Sequence, residues 1–236
     1  MKLFYTLLFS ALCSGAMAQK TINDPNVALR TVGAYHSIEV AGGIDLYLSK
    51  GEAAVAVSAK DAETRDHIRT EVKDGVLKIY YDVKEGIKLG FNQKMLRAYV
   101  SSPTLRELSV IGGSNAVIDG TLKSDELTIK LIGGSDLHGD VDAGKLKIEL
   151  VGGSDLSISG KAGQLDIEAT GGCDMNGNDL FAEICVVKAV GGCDISVTVN
   201  KEISAEAIGG SDVNWKGPAS VIKSKTAGAG KVSHRS

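Results

Sequence analysis

The chain has 236 residues, 43% of them apolar and 5% aromatic, with a formal charge of −3. That length suits one elongated domain or two small ones. No run of Lys and Arg occurs, which argues against a nucleic-acid partner, and no segment beyond the N-terminus is apolar enough to cross a membrane.

Residues 1–18 read as a secretory signal peptide. Lys2 supplies the positive start, residues 3–14 form an apolar run too short to span a bilayer, and Ala16-Met17-Ala18 is a small-x-small cleavage site. Cys13 does not make a lipobox, because Leu12 stands where a small residue is required. Cleavage near Ala18 would export the chain to the periplasm, cell surface or medium with Gln19 first. Only Lys2 among the charges is lost, so the mature net charge is −4. Residues 19–33 read as a linker.

Residues 34–104 are expected to hold a first coil with insertions and to cap one end of the fold. Ile38, Val40, Ile44, Leu46 and Leu48 alternate with polar residues around Gly42-Gly43, as in two short strands and a turn. Residues 54–58 read as a strand. Residues 61–69 read as a short helix with Asp61 as N-cap. Residues 72–79 read as strand, Asp-Gly turn and strand. Residues 84–94 look like a loop, and 96–100 like a strand before Pro103.

From residue 105 to 236 a repeat of about nineteen residues takes over. Gly112-Gly113-Ser114-Asn115 opens it, and Gly133-Gly134-Ser135-Asp136 and Gly152-Gly153-Ser154-Asp155 follow. The series continues with Gly171-Gly172-Cys173-Asp174, Gly191-Gly192-Cys193-Asp194 and Gly209-Gly210-Ser211-Asp212, and ends in a worn copy at Gly228. Before each glycine pair runs an alternating strand such as Leu146, Ile148, Leu150. A second strand follows the Asp, and a further corner lies at residues 160–163. With no helical period between units, the strands cannot form βαβ crossovers, and stacking each turn on the last gives an all-β parallel β-helix. Neither the leucine-rich repeat pattern nor a propeller's forty-residue blade fits. The glycines supply the left-handed backbone the corner needs, and Ser and Asp are expected to brace it.

Tyr35, Ile38, Val40, Gly43, Ile44 and Asp45 match the pattern Phe/Tyr-x-x-Ile-x-Val-x-Gly-x-Ile-Asn/Asp. With the Asp74–Ile79 hairpin and the Gly-Gly-Ser-Asp ladder, the chain resembles the bacterial "putative auto-transporter adhesin, head GIN domain" family over about residues 35–232. The naming motif has Asn where this chain has Asp45. The resemblance implies a right-handed β-helix, export in Bacteroidetes-type bacteria and an adhesin-like role. No translocator barrel is expected after the last coil.

Asp136, Asp155, Asp174, Asp194 and Asp212 should stack about 4.8 Å apart, where neighbours in water repel by about 0.9 kcal/mol per pair. Backbone N–H donors at each turn are the favoured compensation. Calcium shared between coils is the alternative, and no bound metal or cofactor is expected. Cys173 and Cys193 fall in one column at a spacing a disulfide tolerates, and whether they bridge stays open. Cys185 takes a core position and reads as a free thiol. Tyr80, Tyr81 and Tyr99 are the candidates for a binding surface, although packing in a strand-rich cap explains them better. No catalytic constellation is visible. The expected function is a non-enzymatic adhesin-like or scaffold module that meets a cell-surface glycan or protein. The alternative is a carbohydrate-binding or polysaccharide-degrading β-helix.

Overall fold

A run that alternates apolar and polar side chains can bury only one face, and glycine pairs let it turn sharply after each pass. The computed structural model describes residues 24–82 and 95–235, so the expected signal peptide, the start of the expected linker and the expected loop at 84–94 lie outside the described residues. The described chain forms a β-solenoid of about seven turns.

Five long strands are its body: β9 (Asn115–Ile132), β10 (Asp136–Gly152), β11 (Asp155–Gly171), β12 (Asp174–Gly191) and β13 (Asp194–Gly209). Each pairs in parallel with the next, nearly residue for residue, so Asp136, Asp155, Asp174 and Asp194 are successive partners. The sequence pattern suggested separate strands joined by corners. Hydrogen bonding instead continues through the corners, and each coil is one bent strand. In β11 the buried positions are Leu156, Ile158, Ala162, Leu165, Ile167 and Ala169. Their spacing widens around Gly160 and Gly163, where the strand changes direction, while alternation holds within each straight part.

The interior is a stack of like positions. Ile129, Ile148, Ile167, Val187 and Ala205 share one column, and Leu131, Leu150, Ala169, Ala189 and Ala207 share another. All are buried, and the side chains shrink toward the C-terminal end. Below them β14 (Asp212–Lys216), β15 (Ser220–Gly228) and β16 (Lys231–His234) make the final coil. On one side of this coil Trp215, 6% exposed, packs against His234 with ring centroids 4.2 Å apart and closes the core. On the other, Ser224 and Thr226 continue the two columns and are exposed, so the core ends in polar side chains.

The N-terminal third stacks out of sequence order. β2 (Ser37–Ala41) and β3 (Asp45–Lys50) form a coil seated directly on β8 (Glu107–Ile111) and β9, with Asp45 opposite Asn115. β6 (Val76–Tyr81) and β7 (Arg97–Ser102) lie on its other side. The first coil in sequence is therefore internal, and the later insertion makes the end. β4 (Ala54–Ser58) and β1 (Ala28–Arg30) extend one sheet antiparallel beyond β7, and β5 (Ile68–Lys73) closes the other as a hairpin with β6. This reversal of strand direction ends the solenoid. Helix α1 (Ala62–Asp66) is capped by the Asp61 carboxylate, which accepts from the Thr64 N–H. It is shorter than the sequence pattern suggested, because Ile68 already begins β5. The hairpin turn is Asp74-Gly75, with φ of 52° and 76°.

The glycine ridge is in register from coil to coil, Gly152 beside Gly171 and Gly171 beside Gly191. Gly171 has φ of 115°, and a Cβ there would lie 2.6 Å from the Gly152 carbonyl oxygen. Gly172 has nothing within 4 Å of a Cβ. Gly171→Ala is therefore expected to destabilise the fold by at least about 2 kcal/mol, and Gly172→Ala by under about 0.5 kcal/mol, by urea denaturation. Equal effects would contradict this account of the corner.

Candidate functional site

Register fixes what each outer face presents. On the face that follows the glycine ridge, one column reads Arg97, Asp45, Asn115, Asp136, Asp155, Asp174, Asp194, Asp212 and Lys231. Two residues along each strand the next outward column reads Tyr99, Tyr47, Val117, His138, Ser157, Asn176, Ser196, Asn214 and Ser233. Carboxylate, amide, hydroxyl and imidazole groups thus line a long flat surface.

The Asp carboxylates do not brace the turns as expected. Among the described residues, those of Asp136, Asp155, Asp174, Asp194 and Asp212 have no hydrogen bond or ion pair with another side chain or with the backbone. In the units that carry it, the buried Ser does that work. The hydroxyls of Ser135, Ser154 and Ser211 donate to the carbonyls of Ile132, Val151 and Ile208 at 3.0, 3.2 and 3.1 Å. The Ser114 hydroxyl accepts from the N–H groups of Gly43 and Ile44 in the neighbouring coil. Ser and Asp are both turn residues, so composition does not tell which of them faces inward. At the top of the ladder the Asn115 amide donates to Asp45 at 2.9 Å.

The face that precedes the ridge is built differently. Its columns mix signs, and the charges meet across coils: Lys145 with Glu126 at 3.1 Å, Lys130 with Glu107 at 3.3 Å and Lys225 with Glu206 at 2.9 Å. Such exposed pairs add little stability each but favour one register.

Of the three tyrosines singled out, only Tyr99 lies on the aspartate-bearing face. Its ring stacks on Tyr47 with centroids 5.3 Å apart and 18° between planes. Its hydroxyl donates to Asp24 at 3.2 Å, and Arg97 lies 3.5 Å from the same carboxylate. Tyr80 and Tyr81 belong to β6 on the other side, where Tyr81 packs against the core and tilts over His67. Tyr47 and Asp24 escaped sequence reasoning, because only the pairing of β3 with β7 and the fold-back of the N-terminus bring them together. Burial raises the Asp24 carboxyl. Hydrogen bonds from Ser58, the Asn26 N–H and Tyr99, with the Arg97 charge, outweigh it and hold the group below its ordinary 3.8. A cleft of about 250 Å³ opens beside this cluster, lined by Asp24, Asn26, Ser58, Lys60, Met95 and Arg97.

Cys173, Cys185 and Cys193 are buried free thiols in this structure. Burial pushes the Cys185 thiol up to about 12, as suits a residue in the column of Leu165 and Ile203.

The family model described as "Putative auto-transporter adhesin, head GIN domain" matches residues 34–219. No curated protein matches the chain. Among solved structures it resembles a putative adhesin from Bacteroides fragilis, at 19% identity and a TM-score of 0.77, covering 89% of this chain and 96% of the other. A putative adhesin from Parabacteroides distasonis is similar at 18% identity and a TM-score of 0.71, with 89% and 96% covered. A protein from the same species described as a putative lipid binding protein is similar at 19% identity and a TM-score of 0.67, with 89% and 97% covered. At these identities the structures establish the shared fold alone. No helix among the described residues is long and apolar enough to cross a membrane.

Three outcomes follow from the site's electrostatics. Asp155→Asn removes a charge flanked by two like charges, so it is expected to raise the melting temperature at low ionic strength, with the gain vanishing in concentrated salt. EDTA is expected to leave the wild-type melting temperature unchanged, and a fall reversed by calcium would show that the ladder holds a metal. The Asp24 carboxylate, which is stabilised where the ladder aspartates repel, adds a dependence on pH. A carboxyl held below its unfolded value stabilises fully above that value, and loses its effect as pH falls through the folded one. Protection factors at residues 24–30, taken against the intrinsic exchange rate at each pH, are therefore expected to fall as pH drops below 3.8, and in Asp24→Asn at neutral pH, while residues 115–209 stay protected.

Proposed function

The chain belongs to the head GIN domain family of putative auto-transporter adhesins, and on that premise we propose that it is an exported, non-enzymatic adhesin-like module. Its binding surface is the aspartate-bearing face, and its partner is a cell-surface glycan lying along the solenoid.

One observation carries this reading. The carboxylates of Asp136, Asp155, Asp174, Asp194 and Asp212 are free of protein partners among the described residues, while the Glu and Lys side chains of the facing sheet are largely tied to one another across coils. Asp, Asn, Ser and His offer hydrogen bonds suited to hydroxyl-rich polymers, and the regular spacing lets a repeating polymer make the same contact many times. A similar structure is described as a putative lipid binding protein. A row of carboxylates and amides is poorly suited to acyl chains, which favours the glycan. The Tyr47 and Tyr99 rings stack on each other, so in this arrangement they anchor the top of the face more than they offer a platform for a sugar.

The test is a glycan array probed with the wild-type protein, a His138→Ala/Asn176→Ala variant, a Tyr80→Ala/Tyr81→Ala variant and a Lys145→Glu variant. Binding is expected to fall at least about tenfold in the first variant alone. Loss confined to the tyrosine or lysine variants would place the binding surface elsewhere. Shortened oligosaccharides released from a bound polymer would favour the polysaccharide-degrading alternative.

A further inference from the structure

The column just after the glycine pairs contains Ser114, Ser135, Ser154, Cys173, Cys193 and Ser211, and every one has 0% exposure. Cys173 and Cys193 are adjacent in it. The Asp194 N–H donates to the Cys173 carbonyl at 2.9 Å, and Asp174 and Asp194 are register partners, so the two cysteines are neighbours on successive coils. Parallel strands in register separate their Cα atoms by about 4.8 Å, inside the range a disulfide spans. Both side chains enter the same buried corner. The Cys173 thiol reaches toward the carbonyls of Gly152 and Thr170 at 3.3 and 3.5 Å. The Cys193 thiol reaches toward those of Gly171 and Val190 at 3.5 and 3.6 Å.

In the serine copies the same corner is held by hydroxyl donors at 3.0 to 3.2 Å. A thiol is a weaker donor, so two successive cysteines loosen the brace at neighbouring coils. A covalent link would replace what they lose. Burial raises the Cys173 thiol, and the neighbouring Cys193 raises it further.

We propose that Cys173 and Cys193 are joined by a disulfide that staples two successive coils behind the aspartate-bearing face. Its partner reaction is with a disulfide-bearing thiol oxidant acting before the corner is buried. The Cys173 thiolate attacks one oxidant sulfur, forming a mixed disulfide and expelling the other as thiolate. The Cys193 thiolate then attacks the Cys173 sulfur and expels the second. Two cysteine thiols are oxidised, the oxidant disulfide is reduced to two thiols, and the two protons end on it. Cys185 stands apart in the leucine column and takes no part.

The test is to refold the full chain in a glutathione and glutathione disulfide buffer, alkylate it under denaturing conditions, and digest it with trypsin and a glutamate-specific protease. These cuts place the cysteines on separate peptides, residues 169–183, 184–188 and 189–201. Peptide 169–183 linked to 189–201, with 184–188 alkylated, is the expected result. The oxidised protein should also melt about 5–10 °C above its reduced form. Cys173→Ser/Cys193→Ser, which restores the column's own residue, should fold and lose that dependence on reductant. Alkylation of all three peptides, or a link from either cysteine to Cys185 or Cys13, would overturn the proposal.

Discussion

Parallel pairing in register, renewed at every coil, is the constraint on which the rest of this molecule depends. It places residues of equivalent position directly above one another, about 4.8 Å apart. Every column must then be acceptable to itself. Isoleucine and leucine satisfy this by packing, glycine by leaving room for the next corner, and serine by bonding its own turn and, at Ser114 and Ser211, the next coil. The size gradient from Leu131 to Ala207 and the tilted ring pair of Trp215 and His234 are consequences of the same rule at the end where stacking stops.

Charge is where the rule becomes selective. Across one sheet Glu and Lys alternate well enough for cross-coil pairs to form, and register is favoured electrostatically. Along the other, five aspartates follow one another. That arrangement costs a little stability, which the buried columns beneath it offset. This self-repelling row, next to Asn, Ser and His in equal register, is the feature on which the proposed binding role rests.

Much of this was legible in the sequence. The Gly-Gly spacing and the alternating triplets specify both the coil and its inward face, because the period of two and the period of about nineteen are set by local chemistry. The stacking order of the first coils was not legible. The unit at residues 37–50 looks like the start of the solenoid, yet it lies between β8 and the later β6 and β7. Nothing local encodes on which side a returning chain docks. The same limit hid the Tyr47, Tyr99 and Asp24 cluster, whose members come from three distant stretches. Of the two residues expected to brace the corner only Ser does so, since a turn-forming residue reveals its direction only once the strand on either side of it is placed.

The register itself can be measured directly. Spin labels placed pairwise on His138 and Asn214 sit in one column four coils apart, which corresponds to about 19 Å along the stack, and Val117 with Asn214 adds one coil more. Pulsed electron spin resonance should show separations that lengthen by about 4.8 Å for each intervening coil. Distances that fail to grow with coil number would contradict the ladders and the face built on them.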